Sequence, residues 1–264
     1  MNTVLTVVFT LLGVAVGSFL NVAIDRLPAR KSLVFPSSHC DKFQHPLSPG
    51  DLIPVFSYLW LQGRCRYCQA RIPLRVLVIE LSSGLLFCLA FWRYGLSAEF
   101  AITAFFGIIF VVIVAIDWEH KLILNRVVYP SAVIVLIILA IDFLLPRRLF
   151  PDLLFLPPPK ILSGVIGGAL GFTFFLIFYL IKPGGMGAGD VKLAGLIGLV
   201  TGFPLIIVAL FIGIVLGGVV AITLILLKKR GLKDTIPYGV FLGVGPIVTL
   251  LWGSDLLNWY LSLP

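Results

Sequence analysis

Long apolar runs recur along this chain, and they constrain its fold more than any other feature. Hydrophobic residues make up 59% of the 264 positions and charged residues 12%, against about 25% charged in soluble domains. Each run is apolar on every face, which is typical of helices in a bilayer and not of strands with alternating polarity. The sequence therefore predicts an all-α polytopic membrane protein with about eight transmembrane helices. They are expected at 4–24, 74–91, 100–116, 127–145, 161–181, 191–201, 204–227 and 238–261.

The sixth run is too short to span a bilayer comfortably, so we expect it to be tilted, re-entrant or buried among its neighbours. The first run has no basic residue before it and is interpreted as a membrane helix, not as a cleaved signal peptide. The runs divide the chain into a first transmembrane helix (1–24), a segment outside the membrane (25–73) and seven further helices (74–264). The middle segment is too small to bury a good core alone, so a metal or the membrane helices must help it.

The basic residues predict the orientation of the chain. With the N-terminus outside and the loops assigned alternately, sixteen of the 20 Lys and Arg residues lie on the cytoplasmic side, in keeping with the positive-inside rule. The net charge of +8 is then explained by topology and by attraction to anionic lipid. No nucleic-acid-binding motif is visible, so no nucleic-acid partner is expected. The other four Lys and Arg residues, which are expected on the exterior side, are Arg93, Arg147, Arg148 and Lys160.

Two aspartates lie beside charge-free runs. Asp190 follows the sequence Gly187-Ala188-Gly189, and Asp117 follows the run 100–116. Ionisable groups at such positions are costly and indicate a functional site. Both fall on the predicted cytoplasmic side, and two neighbouring carboxylates that share a proton can act as the acid and base of an aspartyl protease. The alternative is that each is an interfacial residue, solvated or paired with Lys121 or Lys192.

Three cysteines in the segment 25–73 suggest a metal site. Cys65 and Cys68 have the spacing of half a zinc site, and Cys40 lies upstream. Position 43, where a second CxxC would close, is Phe43. His39 or His45 is therefore the candidate fourth ligand. Cys88 lies in the second run and is interpreted as a buried apolar residue; a disulfide is not expected in a reducing cytosol.

Polar residues within the first two runs have both structural and functional interpretations. Asn21 is expected to hydrogen-bond to a neighbouring helix, and Arg26 to pair with Asp25 at the interface. Glu80 has a structural interpretation, in which it snorkels to the interface or pairs with Arg75 or Arg71, and a functional one, in which it contacts the substrate's amino terminus or forms part of a methyl-transfer site. Asp142 is expected to pair with Arg147 and Arg148, and the sequence 236–239 (Ile-Pro-Tyr-Gly) is interpreted as a helix start.

These motifs together resemble the type IV prepilin peptidases, membrane aspartyl proteases of the GxGD kind. The resemblance covers nearly the whole chain, and the order of the motifs is more specific than any one of them. The matching sequences are 17–22 (GSFLNV) with 26–28 (RLP), 38–40 (SHC), 51–59 (DLIPVFSYL), 63–68 (GRCRYC), Glu80, Asp117, 187–193 (GAGDVKL) and 236–239 (IPYG).

The resemblance implies an enzyme of the bacterial inner membrane that removes the basic leader of a prepilin or pseudopilin at the cytoplasmic face. Asp117 and Asp190 would be catalytic, and Gly187, Gly189 and Lys192 would position the loop and the substrate. Members with the cysteine segment often also methylate the new N-terminus with S-adenosylmethionine, where Glu80, Asn21 and Arg26 are candidate contacts. The family serves type IV pili and type II secretion.

Three positions depart from the family pattern: Phe43 replaces a zinc-module cysteine, Leu124 stands where a proline is expected before Asn125, and Val76-Leu77 stands in place of Tyr-Pro. None of these positions is either aspartate.

The sequence also allows three alternatives to a bifunctional prepilin peptidase. They are a peptidase with a degenerate methyltransferase segment, a transporter that carries protons or cations on its acids, and an inactive scaffold for pilus assembly. A transporter would favour acids near the bilayer midplane and repeated halves, which this chain does not show.

Overall fold

The computed structural model describes residues 3–40, 42–144, 160–181, 186–227 and 237–263. Every secondary-structure element in these ranges is a helix, which confirms the predicted all-α class. The helices are α1 (Thr3–Arg26), α2 (Phe56–Trp60), α3 (Leu74–Tyr94), α4 (Ala98–His120), α5 (Asn125–Leu144), α6 (Lys160–Ile181), α7 (Ala188–Thr201), α8 (Leu205–Leu226) and α9 (Tyr238–Leu261), with a 3-10 turn at Pro49–Leu52.

Within the described ranges, seven helices are long and apolar enough to cross a membrane: α1, α3, α4, α5, α6, α8 and α9. The predicted sixth span is α7, whose 14 residues extend about 21 Å at 1.5 Å per residue. That length is less than the roughly 30 Å of a hydrocarbon core. Leu193, Ala194 and Ile197 on α7 are fully buried. This helix is therefore short and enclosed by its neighbours, one of the arrangements expected from its length.

The chain forms two compact units, Met1–Leu96 and Ser97–Pro264. The first contains α1, α2 and α3, so α3 groups with the N-terminal elements here, whereas the sequence-based division placed it with the later helices. Glycines allow α1 and α3 to pack closely, as small residues do in membranes. A methyl group at Gly17 would lie 2.7 Å from the Cα atom of Glu80, and one at Gly13 would lie 2.7 Å from the Cβ atom of Phe87.

The second unit is built around α7. Close approach of α6 and α7 depends on Gly167 and Gly198, because a Cβ atom on either would overlap the backbone of the other helix. Helices α8 and α9 make a similar contact, where Gly245 lies against the backbone of Ala209. The buried apolar cluster of this unit includes residues of α4 to α9. These contacts hold the ends of several helices in fixed positions, and the candidate site lies at such ends.

Asp142 on α5 forms an ion pair with Lys160 on α6, with 3.4 Å between Oδ1 and Nζ. Both side chains are largely buried, and such charges are normally paired inside a membrane protein. The expected partners, residues 147 and 148, lie outside the described residues. The ion pair identifies a structural role for Asp142.

Candidate active site

Asp117 lies in the last turn of α4 and its side chain reaches the first turn of α9. The residue is 5% exposed. Its Oδ2 atom accepts a hydrogen bond of 3.0 Å from the backbone N–H of Val240, and the nearby N–H of Gly239 also favours the charged carboxylate. The first N–H groups of a helix have no partner within the helix, so they are available to hold a carboxylate. The start of α9 therefore fixes the position of Asp117.

Gly239 makes room for this contact. A methyl group at this position would lie 2.9 Å from Oδ2 of Asp117 and 2.9 Å from Cδ1 of Ile123. From the sequence, 236–239 indicated only a helix start, and residue 236 lies outside the described residues. The contact could not be predicted because its partner, Asp117, is 122 positions away. The one available signal was a glycine two positions after a helix-starting proline.

Asp190 lies in the first turn of α7 and is 8% exposed. Its Oδ2 atom accepts a hydrogen bond of 3.2 Å from the N–H of Gly187, just before the helix begins. Gly189 allows the loop after α4 to come close, because a methyl group there would lie 2.8 Å from Cβ of Ile123. The two glycines of this motif thus have different structural roles: one donates a hydrogen bond and the other provides space.

The two aspartates meet around Ile123. This residue contacts both Gly189, next to Asp190, and Gly239, which lies beside the carboxylate of Asp117. The charge of Asp117 acts on Asp190, although 73 positions separate the two residues in the sequence. Two buried carboxylates at such proximity cannot both ionise easily and tend to share one proton. The arrangement is suited to acid–base chemistry on a substrate that binds at this end of the unit.

One interpretation of the sequence paired Lys192 with Asp190, but the structure gives Lys192 another partner. Its Nζ atom donates a hydrogen bond of 3.1 Å to Oδ1 of Asn125 and lies 5.6 Å from the ring centre of Tyr129. The lysine therefore joins the start of α7 to the start of α5. It fixes the two helix ends beside the aspartates and leaves Asp190 to its backbone partner.

The three cysteines of the first unit form a cluster. Their sulfur atoms all lie within 4.8 Å of one another, and the Sγ atoms of Cys40 and Cys68 are 3.3 Å apart. Three thiolates at about 2.3 Å from a zinc ion would lie roughly 3.8 Å from each other, so the cluster fits a metal ion. The pKa of Cys40 lies below its usual value, because the N–H of Phe43 and the neighbouring Cys68 favour the thiolate. Cys88, on α3, is not in this group.

Two matching turns carry the cysteines. In the first, the N–H of Cys40 donates to the carbonyl of His45 and the carbonyl of Cys40 accepts from Gln44. In the second, Cys65 makes the same two bonds with the equivalent positions 70 and 69. Both fifth residues, 44 and 69, have positive φ angles of 56° and 58°. The fourth residue of the second turn is Cys68, and that of the first turn is Phe43.

The first turn therefore lacks its second ligand. The side chain of Phe43 is 65% exposed, and His39 and His45 do not join the cluster. Their Nδ1 atoms lie 2.8 Å from the carbonyl of Ser37 and 2.7 Å from that of Pro46. The structure thus brings together the three predicted cysteine ligands. Neither histidine proposed as the fourth ligand lies with them among the described residues.

A cavity of about 590 Å³ lies next to the cluster in the first unit. Glu80 lines it, is 4% exposed, and accepts a hydrogen bond of 2.7 Å from the N–H of Val55. This N–H takes the place of the arginines expected from the sequence. The other polar side chains in the lining include Asn21, Asp25, Asp51, Tyr58, Arg66, Arg71 and Arg75.

Asn21 and Arg26 have different positions relative to this cavity. Asn21 donates a hydrogen bond of 3.1 Å to the carbonyl of Val76 on α3, as predicted for packing between helices, and its buried Oδ1 atom has no hydrogen-bond partner. Arg26 bonds the carbonyls of Ser32 and Pro36 and is not in the cavity lining. Asp25 pairs with Arg75 at 2.7 Å, so the predicted Asp25–Arg26 pair is wrong.

Comparison with known proteins agrees with this division into two parts. Residues 104–222, which include both aspartates, match the type IV leader peptidase family. This chain belongs to that family. Residues 11–94, which include the cysteines and Glu80, match the bacterial peptidase A24 N-terminal domain. The family predicted from the motifs is therefore confirmed.

Several curated members are similar over nearly their full length. The prepilin leader peptidase/N-methyltransferase of Bacillus subtilis is 29% identical over 95% of this chain and 96% of its own length. The proteins of the same description from Pseudomonas putida and Pseudomonas aeruginosa are also 29% identical, over 94% and 96% of this chain and 90% and 92% of their own lengths. No solved structure matches the chain.

Proposed function

We propose that this protein is a prepilin peptidase that removes the basic leader of a prepilin or pseudopilin and also methylates the new N-terminus. The meeting of two buried carboxylates, Asp117 and Asp190, at one end of the second unit carries the proposal. Membership in the leader peptidase family and the names of the similar proteins support both activities. The proton- or cation-coupled transporter is not favoured, because Asp117 and Asp190 lie at helix ends and not near the middle of a span.

In the proteolytic step, one carboxylate takes a proton from water as the water oxygen attacks the carbonyl carbon of the scissile peptide bond. The other carboxyl group donates its proton to the carbonyl oxygen, and the amine leaves after a proton reaches its nitrogen. The N–H groups of Val240 and Gly239 both favour the charged form of Asp117, whereas the N–H of Gly187 alone does so for Asp190. We assign Asp117 as the carboxylate that carries the charge and Asp190 as the carboxyl group that holds the shared proton.

The substrate must be unwound where it is cut. A helical peptide bond cannot reach the carboxylates, because its carbonyl is already hydrogen-bonded within the helix. The segment next to Asp190 contains Gly187 and Gly189, which lack side chains that would block an extended strand. We infer that this segment and the neighbouring Lys192 position the cleavage site. The positive-inside distribution of basic residues puts these helix ends at the cytoplasmic face, and the orientation stays a prediction.

For methylation, the cavity of the first unit is the candidate site of S-adenosylmethionine. Its volume is in the usual range for small ligands, about 300–1,000 Å³. Of the three carboxylates in its lining, Asp25 and Asp51 are paired with Arg75 and Arg66, so Glu80 is the acidic group that would face a cationic sulfonium. The unpaired Oδ1 atom of Asn21 is a further acceptor. When bound, the cofactor supplies an electrophilic methyl group, and Glu80 would hold the acceptor amine and take up its proton.

The cysteine cluster would hold a zinc ion through Cys40, Cys65 and Cys68. A structural zinc site normally has four ligands, so a water molecule or another group must complete this one. The ion would join the two turns that carry the cysteines and stabilise a segment that is too small to have a large core. We assign the ion a structural role and no part in either reaction.

The proposed function is tested by the mass of a pilin from cells with and without this protein. Loss of the leader identifies the peptidase, and the added mass of one methyl group identifies the second activity. Leader removal without methylation would support a degenerate methyltransferase segment. An unprocessed pilin in the presence of the folded protein would contradict the proposal.

Substitution of Gly239 by alanine is expected to lower the rate of leader removal roughly a hundredfold. The added methyl group would displace the carboxylate of Asp117 or the side chain of Ile123, and an error of about 1 Å in a catalytic group costs on this order. The rate is measured with a purified prepilin peptide in detergent. Gly218→Ala on α8 is the matched control, because nothing lies within 4 Å of its added methyl group. Equal rates for the two variants would show that Gly239 does not position the aspartate.

Metal analysis of the purified protein is expected to find about one zinc ion per chain, and Cys65→Ser is expected to lose it. Cys65 is 6% exposed and supplies one of the three sulfur atoms. Cys88→Ser, which changes a cysteine outside the cluster, is the control and should keep the ion. Absence of zinc from the unmodified protein would exclude the site.

Phe43→Cys is expected to complete the site. The two turns have the same hydrogen bonds, so a cysteine at position 43 would occupy the place that corresponds to Cys68. In cobalt-substituted protein, the absorption from sulfur-to-cobalt charge transfer should increase by about one third, and a chelator should remove the ion more slowly. An unchanged spectrum would mean that position 43 does not face the ion.

A further inference from the structure

The loop between α1 and α3 carries an exposed apolar patch that neither proposed reaction uses. We define the patch as Ile53, Phe56, Leu59 and Trp60, which line one shallow groove. Their exposures are 51%, 68%, 59% and 86%. Exposed apolar groups in such a cluster mark an interaction surface. Phe56, Leu59 and Trp60 lie on α2 at helical spacing, and Ile53 lies three residues before the helix, so the patch has one face.

We propose that this patch anchors the loop in the interfacial layer of the bilayer, on the side where α1 ends and α3 begins. Both flanking helices are membrane spans, and they pack side by side through Gly13 and Gly17. The loop begins one residue after α1 and ends one residue before α3. It is therefore held at the membrane surface from both ends, and an exposed apolar face on it has the bilayer within reach.

The composition of the patch fits an interface more than a protein groove. Tryptophan and phenylalanine are favoured at the headgroup level, where an aromatic ring meets both apolar chains and water. The loop 27–73 contains six basic and two acidic residues, a net charge of +4. Arg66 borders the patch and its side chain is 53% exposed. Basic residues near the membrane surface are attracted to anionic lipid.

Anchoring would have a consequence for the neighbouring cavity. Ser57 and Leu61 line both the patch groove and the cavity that contains Glu80. A patch held in the headgroup layer therefore fixes the depth of the cavity relative to the membrane. The inference does not depend on the proposed reactions, because it concerns only where the loop lies.

The test places a photo-reactive benzoylphenylalanine at position 60 of the full chain in nanodiscs that contain anionic phosphatidylglycerol. On illumination, its carbonyl inserts into a nearby C–H bond, and mass spectrometry identifies the adduct. Position 60 is expected to label lipid at least tenfold more than position 69, the exposed Gln69 of the same loop. Equal lipid labelling at the two positions would overturn the proposal.

Labelling of a second copy or of an added prepilin in place of lipid would also overturn it, and would assign the patch to a protein partner.

A second measurement uses the native side chain, in case the substituted protein does not fold. Tryptophan fluorescence of the unmodified protein is compared with that of Trp60→Phe in bilayers with and without brominated lipid. The difference signal should be quenched by the bromine atoms. Quenching by aqueous iodide alone would place Trp60 in water and contradict the anchor.

Discussion

Asp190→Asn is expected to abolish leader removal while the protein still accumulates in the membrane. The substitution keeps the shape of the side chain and its bond from the N–H of Gly187, but it removes the proton that the pair must share. General acid–base groups contribute about 10²–10⁴-fold to rate, so the rate should fall about a thousandfold. Asp117→Asn should have the same effect, and the double variant should be no worse than either alone.

The matched control is Asp142→Asn, which removes another membrane carboxylate, one that is paired with Lys160. This variant should cleave at a rate close to that of the unmodified protein. The measurement is the fraction of a purified prepilin cut with time, at equal amounts of folded enzyme. Substantial cleavage by both Asp117→Asn and Asp190→Asn would rule out the aspartyl mechanism. A loss that also appears in Asp142→Asn would point to a general effect of charge on folding.

Glu80→Gln is expected to stop methylation and leave leader removal intact. Glutamine can still accept the hydrogen bond from Val55, so the loop should stay in place. The lost group is the negative charge that would hold the acceptor amine. Methylated product should decrease about a hundredfold at unchanged cleavage, an effect typical of the loss of one acid–base group. The measurement is the ratio of methylated to unmethylated mature pilin by mass.

The two activities can be separated in this way because Glu80 and the aspartates belong to different units. Asp190→Asn removes the substrate of methylation, so its methylation is assayed on a pilin that has already been cut. Glu99→Gln, in the first turn of α4, is the control for loss of a carboxylate outside the cavity. If Glu80→Gln lowered cleavage and methylation equally, the residue would have a structural role and not the one proposed.

Much of the architecture could be predicted from hydropathy alone, because a bilayer leaves few ways to satisfy the backbone. The exception was α7, since a mostly apolar run of only 11 residues, 191–201, fits a short buried helix and a re-entrant segment equally well. The common side of Asp117 and Asp190 also followed from topology. Their contact through Ile123 did not, because periodicity says which face of a helix is apolar and not which loop lies against it.

The polar contacts of the first unit were harder to predict. The sequence suggested that Glu80 would bond an arginine, since opposite charges were the nearest partners along the chain. The structure instead gives it the N–H of Val55, a residue with a positive φ of 63°. The equivalence of Phe43 and Cys68 became clear only from the hydrogen bonds of the two turns. Backbone partners of this kind leave no compositional signal.

The division of the chain into two units has a consequence for how such a protein can change in evolution. Both carboxylates, Gly239 and the helices that hold them lie within Ser97–Pro264, whereas the cysteines and Glu80 lie within Met1–Leu96. Loss of a cysteine or of Glu80 from the first part would leave the second part chemically complete. A lineage under relaxed selection for the modification can therefore erode one half of the gene and keep a working protease encoded by the other.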